Sequence, residues 1–99
     1  MENDFTELYK KIIVPIIVKY APDAKIILYG SRARGDAHEG SDIDVALDMN
    51  DTINTLVISN IVGDLEESNL PINFDIVDFR AVSEKMQQRI LRDGVIWKE

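Results

Sequence analysis

The chain contains, between two predicted strands, the segment Gly30-Ser31-Arg32-Ala33-Arg34-Gly35-Asp36-Ala37-His38-Glu39-Gly40-Ser41-Asp42-Ile43-Asp44. Before it, residues 25–29 form a short apolar run that predicts a strand ending at Gly30. Residues 31–41 predict a polar loop with room for one helical turn, in which His38 is exposed. The segment thus joins a glycine turn to a second, acidic strand.

The second strand, residues 42–48, alternates between apolar and mostly acidic positions. Because successive side chains of a strand point to opposite faces, Asp42 and Asp44 leave the same face. Two unpaired carboxylates side by side repel each other, and a bound cation removes that penalty. Hard oxygen ligands of this type suit Mg²⁺ or Mn²⁺, which also bind substrate phosphates.

A third carboxylate is expected on the strand predicted over residues 71–79. Asp75 shares its face with the polar Asn73, whereas Asp78 shares a face with apolar residues. We therefore assign Asp75 to the acidic site and expect Asp78 to lie in solvent or to cap the turn that follows.

The turn at Gly30 is suited to binding phosphate. Glycine lets the backbone bend sharply, so that the amide and hydroxyl of Ser31 can face phosphate oxygens. A helical turn after Gly30 would add its partial positive charge, and either Arg32 or Arg34 can hold a terminal phosphate. We assign Arg34 to the nucleotide site, although the sequence does not separate the two arginines. A P-loop is excluded, because Asp36-Ala37 stands where that motif needs Lys and Ser or Thr.

The remaining segments predict helices around these strands. A first helix is expected to be capped by Asp4 and to bury Phe5, Leu8, Ile12 and Ile16, with a kink at Pro15. A second is expected to be capped by Asp51 or Thr52, and a third to be capped by Ser83 and to bury Met86, Ile90 and Leu91. The order predicts an α/β (α+β) fold, in which a small mixed sheet has helices packed on one face and acids on the other. We expect a single domain, 1–99.

Composition narrows the function classes. The net charge of −7 makes nucleic acid an unfavoured direct partner, since phosphate-gripping proteins carry a basic face. A nucleotide held through a divalent cation is compatible with this acidity. The chain has no cysteine, which excludes disulfides and thiolate metal sites. No apolar run is long enough to predict a membrane span, and without an export signal we expect a cytoplasmic protein.

The full pattern resembles the DNA polymerase β-type nucleotidyltransferase superfamily, and in particular its smallest members, the minimal nucleotidyltransferases. Five of its fixed positions would match by chance on the order of once per million starting points. The resemblance covers nearly the whole chain. It implies ATP as substrate, Mg²⁺ or Mn²⁺, catalytic and metal-binding roles for Asp42, Asp44 and Asp75, and nucleotide binding by Gly30, Ser31 and Arg34.

The resemblance also implies a partner. Such proteins often act as the antitoxin of a HEPN-type ribonuclease encoded nearby, to which they attach AMP. Two other functions stay open at this stage: an antitoxin that acts by occlusion with a dispensable site, and a nucleotidyltransferase of small molecules, as for aminoglycosides. We expect no separate acceptor-binding domain, and therefore an acceptor pocket that a partner or a homo-oligomer supplies.

Overall fold

The computed structural model describes residues 5–37 and 40–99, so the predicted cap at Asp4 and the predicted exposure of His38 lie outside the described residues. Its elements are α1 (Thr6–Tyr20), β1 (Lys25–Tyr29), α2 (Ser31–Arg34), β2 (Ile43–Asp48), α3 (Thr55–Glu67), β3 (Phe74–Asp78), α4 (Glu84–Asp93) and β4 (Val95–Lys98). Among these residues, no helix is both long and apolar enough to span a membrane.

The strands form one mixed sheet in the order β3-β2-β1-β4. β1 is antiparallel to both β2 and β4, whereas β2 and β3 run parallel. A parallel pair needs a crossover connection, and α3 supplies it between β2 and β3. The predicted mixed sheet is confirmed, and residues 95–98 add an edge strand to it.

The larger core lies between one face of the sheet and helices α1 and α3. α1 buries Tyr9, Ile13 and Ile17 there, while Phe5 and Leu8 are 58% and 53% exposed. The predicted stripe was therefore wrong by one position. The row with Ile12 and Ile16 and the adjacent row with Ile13 and Ile17 are both apolar, so helical periodicity does not determine which row is buried. Packing against the sheet determines it. Pro15 is exposed and does not divide the helix.

Helix α4 packs on the opposite face of the sheet, which corrects the expectation that all helices lie on one face. Its buried Ile90 contacts a smaller core made of Ile27, Tyr29, Ala46 and Phe79. Leu91, predicted to be buried, is 66% exposed because it follows Ile90 on the helix and faces away. α4 covers only part of this face, and Asp44 and Asp75 lie on the same face of the sheet.

The start of α3 also differs from the prediction. Its N-cap is Asn54, whose side chain accepts a hydrogen bond from the Leu56 amide, and neither Asp51 nor Thr52 has this role. Asp51 instead accepts from the Thr52 amide at 2.8 Å, and Ile53 donates its amide to Asp78 Oδ2 at 2.8 Å. These two contacts hold residues 52 and 53 outside the helix. The predicted cap of α4, Ser83, is confirmed by its bond from the Met86 amide at 3.1 Å.

Candidate active site

The glycine turn joins β1 directly to the short helix α2. Gly30 has φ +79°, a conformation that favours glycine, and its carbonyl accepts from the amides of Ala33 and Arg34 at 3.1 Å each. The turn closes at Gly35, whose amide donates to the Ser31 carbonyl at 3.0 Å. Amides at the start of a helical turn have no acceptor within the helix.

Gly30 and Asp44 are in direct contact. A Cβ atom at Gly30 would overlap Asp44 Oδ2, since the carboxylate lies against the glycine backbone. Glycine is therefore required at position 30 twice, once by the positive φ and once by this approach. The contact places the predicted phosphate-binding turn and the first predicted carboxylate within reach of one small ligand.

The three predicted carboxylates lie at the same end of the sheet. Asp44 and Asp75 are register partners of the parallel β2–β3 pair, and Asp42 immediately precedes β2 and is exposed. The pKa of Asp44 is raised, first by burial and then by the charges of Asp75 and Asp42, while Arg34 opposes the shift. The surroundings of Asp44 therefore disfavour the ionised form of its carboxyl group.

Asp78 has a structural function, as its position on the apolar face predicts. Its Oδ1 accepts from the Arg80 amide at 3.0 Å, and its Oδ2 accepts from the Ile53 amide at 2.8 Å. The prediction that Asp78 caps the turn after β3 is confirmed. Both carboxylate oxygens of Asp78 accept from backbone amides, so Asp78 ties the end of β3 to the loop that precedes α3 and is not part of the acidic site.

The acidic site suits a divalent cation by its donors and its charge. In residues 5–37 and 40–99, no group of three His, Cys, Asp or Glu side chains is already drawn together as a metal site. Asp44 and Asp75 are nevertheless register partners on adjacent strands, and burial first, then the charges of Asp75 and Asp42, raise the pKa of Asp44. A cation would remove this repulsion, and carboxylate oxygens are the ligands that Mg²⁺ and Mn²⁺ prefer.

The structure separates the two arginines that the sequence left equivalent. Arg32 points toward α1: its Nε donates to the Ser41 carbonyl at 3.0 Å, its Nη1 donates to Thr6 Oγ1 at 3.1 Å, and it lies over the Tyr9 ring. Arg32 therefore braces the loop before β2. Arg34 lines the same cavity as Asp44 and forms an exposed ion pair with Asp36 at 3.2 Å.

A cavity of about 310 Å³ lies at the glycine turn, lined by Tyr29, Gly30, Ser31, Arg34, Asp44, Met86, Arg89 and Asp93. The wall that α4 supplies was not predicted from the sequence, which indicated for this helix only a cap and buried positions. The signal was present: Met86, Arg89 and Asp93 recur at spacings of three and four residues and share one helical face. Tyr29 is buried in the smaller core and also lines the cavity. Burial and the charges of Asp75 and Asp44 raise its pKa to about 12, so that its hydroxyl stays protonated.

Comparison with known proteins agrees with this geometry. The family described as "Polymerase beta, Nucleotidyltransferase" matches residues 11–99. The chain belongs to this nucleotidyltransferase family. The resemblance that the motif predicted is confirmed.

Two individual members of this family, one known by sequence and one by structure, are similar to the chain. The chain is 28% identical over 88 residues to the "Probable protein adenylyltransferase MntA" of Haemophilus influenzae, covering 89% of this chain and 77% of that one. A crystal structure of a toxin–antitoxin with AMP-PNP matches with a TM-score of 0.75 and 27% identity, over 89% of this chain and 71% of the other.

A third similar structure bears on the fold alone. It is described as a tri-AMPylated Shewanella oneidensis HEPN toxin in complex with an MNT antitoxin, and it matches with a TM-score of 0.71 at 24% identity. The match covers 92% of this chain and 70% of that one. The small mixed sheet with its flanking helices is therefore an arrangement found in other nucleotidyltransferases.

Proposed function

We propose that this chain is a protein adenylyltransferase that transfers AMP from ATP to a hydroxyl group of a HEPN-type ribonuclease, as the antitoxin of a toxin–antitoxin pair. The contact between Gly30 and Asp44, with Asp75 beside Asp44, carries the proposal. Family membership and the relative named as an adenylyltransferase support the reaction, and the similar toxin–antitoxin structure with AMP-PNP supports the nucleotide and the partner. A cytoplasmic location stays a prediction.

The proposed roles follow from position. The turn at Gly30 and Ser31 binds phosphate oxygens through backbone amides and a hydroxyl, and Arg34 adds a charge-assisted contact. Asp42, Asp44 and Asp75 are the residues that would hold Mg²⁺, which when bound neutralises phosphate charge and orients the triphosphate.

Asp75 has a distinct position among the three acids. It lies on β3, the edge strand of the sheet, and it is exposed, whereas Asp44 lies against Gly30 in the cavity. An acceptor hydroxyl can approach from the open edge, and Asp75 is the carboxylate placed to take its proton. The acceptor oxygen then bonds to the α-phosphorus, the bond to the bridging oxygen breaks, and pyrophosphate leaves.

The experiment follows transfer of labelled AMP from α-labelled ATP to the proposed HEPN-type partner. Asp44→Asn and Asp75→Asn are expected to lower the transfer rate by at least about 100-fold, since removing a metal ligand costs more than the roughly 10- to 100-fold loss seen for its supporting partners. Asp48→Asn is the matched control. Asp48 lies on the same strand and face as Asp44, but its carboxylate accepts a hydrogen bond from Arg80 at 2.8 Å. The Asp48→Asn variant should therefore transfer AMP at the wild-type rate.

Two results would contradict the proposal. Wild-type protein that binds nucleotide but transfers no label with any divalent metal would exclude the reaction. If Asp44→Asn neutralises the ribonuclease as well as wild type does, then the protein acts by occlusion and catalysis is dispensable.

A further inference from the structure

Arg89 is the one arginine without a partner in the described part of the chain. The other four are engaged: Arg32 with Ser41 and Thr6, Arg34 with Asp36, Arg80 with Asp48, and Arg92 with Asp93. Arg89 lies in the second turn of α4, makes no hydrogen bond or ion pair among the described residues, and lines the cavity at the glycine turn. An unpaired guanidinium in a small polar cavity is suited to an anion from outside the protein.

The position of α4 brings Arg89 opposite the glycine turn. Ile90 anchors the helix in the smaller core, and Met86, Arg89 and Asp93 face the cavity on either side of that anchor. The facing wall is Gly30, Ser31 and Arg34. The cavity therefore lies between two basic side chains, one from α2 and one from α4.

Asp93 is the acidic group on the α4 wall, and its charge is already compensated. Arg92 donates to both of its oxygens at 3.1 Å from the outer side of the helix. The hydrogen bond from Arg92 is the main cause that lowers the pKa of Asp93; burial opposes it, and the charges of Arg34 and Arg89 add smaller lowering effects. Asp93 thus stays ionised and attracts both guanidinium groups to the cavity, one turn from Arg89.

We propose that Arg89 binds the β- and γ-phosphates of the nucleotide, so that α4 forms the second wall of the triphosphate site. The phosphate tail would lie between Arg34 on α2 and Arg89 on α4, with the α-phosphate at Asp44. This inference rests on the proposed function, because it assumes that the cavity takes a nucleoside triphosphate. It assigns to α4 a direct contact with the leaving pyrophosphate.

The test compares the affinities of three probes by calorimetry in the presence of Mg²⁺: a non-hydrolysable ATP analogue, inorganic tripolyphosphate and AMP. Arg89→Gln is expected to weaken the first two by about tenfold or more, as expected for loss of a charge-assisted bond, and to leave AMP unchanged. Arg89→Lys keeps the charge and should recover part of the affinity. Lys85→Gln makes the same change of charge one turn earlier on α4, outside the cavity, and should have no effect.

The outcomes separate this inference from the proposed function. Wild type that binds neither the ATP analogue nor tripolyphosphate overturns both. Wild type that binds them while Arg89→Gln binds equally well overturns only the role of Arg89. A variant that loses the same factor for AMP as for the ATP analogue would place Arg89 away from the phosphate tail. Arg89 makes no hydrogen bond or ion pair among the described residues and has only the longer-range attraction of Asp93, so the thermal midpoint of Arg89→Gln should lie close to that of wild type.

Discussion

Gly30 shows how one residue can be required by both the backbone and the chemistry. Its positive φ lets β1 turn into α2 without a longer connection, and its missing side chain lets the Asp44 carboxylate rest on the turn. The phosphate-binding amides and the metal-binding acid are therefore held together by a contact that only glycine permits.

Gly30→Ala should separate these two requirements when it is compared with Gly35→Ala. Both glycines have positive φ, so each substitution is expected to cost about 1–2 kcal/mol of stability. Only at position 30 does the new methyl group meet another residue, because nothing lies within 4 Å of a Cβ at Gly35. Gly30→Ala should displace Asp44 and lower AMP transfer by about 100-fold, as loss of that carboxylate would.

The measurement pairs thermal unfolding with label transfer for both variants. Gly35→Ala is the control for backbone strain and should keep most of the activity. Equal losses of activity in the two variants would mean that strain alone accounts for the effect, and that the contact with Asp44 is unimportant.

At the scale of elements, the sequence predicted the strands well and the faces of the helices less well. Alternation in residues 42–48 has a period of two, so one misplaced residue would reverse every side chain, and the pattern admits a single register. The same two-residue period within residues 71–79 puts Asp75 and Asp78 on opposite faces, and in the structure Asp75 pairs with Asp44 while Asp78 accepts from backbone amides. α1 has apolar residues on two adjacent rows, and only contact with the sheet selects Tyr9, Ile13 and Ile17.

The site likewise has a part that the sequence predicted and a part that it did not. Gly30, Ser31, Asp42 and Asp44 lie within one segment, so their spacing carried the prediction. The wall from α4 comes from a distant segment and depends on the placement of that helix on the second face, which no local pattern specifies. The distinct roles of Arg32 and Arg34 likewise depend on the neighbouring helix α1, which supplies Thr6 and Tyr9 to Arg32.

The corrected start of α3 gives a prediction about an element. Asn54→Ala removes the side chain that accepts from the Leu56 amide, and it should lower the free energy of unfolding by about 1 kcal/mol. Thr52→Ala is the control, since Thr52 was an expected cap but does not occupy the cap position. Denaturant unfolding measures both variants, and an equal or larger effect of Thr52→Ala would contradict the start of the helix at Thr55.

At the scale of the whole molecule, the two faces of the sheet have different functions. One face packs on α1 and α3 in a continuous apolar core, and the other holds the acidic site beside a partial cover from α4. The chain carries a net charge of −7, and three of its carboxylates are gathered where β2 and β3 begin. Such an arrangement is favourable for binding a cation and unfavourable for the fold without one.

Magnesium should therefore stabilise the whole protein through Asp44. By mass action, Mg²⁺ at ten times its Kd adds about 1.4 kcal/mol, which raises the thermal midpoint by about 7 °C in a domain of this size. Asp44→Asn should lose this shift.

In EDTA the Asp44→Asn variant should be at least as stable as wild type, because burial and the charges of Asp75 and Asp42 disfavour the ionised carboxylate. NaCl at equal ionic strength controls for screening, and Asp48→Asn, whose carboxylate is bound to Arg80, should keep the shift. A magnesium shift that persists in Asp44→Asn, or that NaCl reproduces in wild type, would place the cation elsewhere.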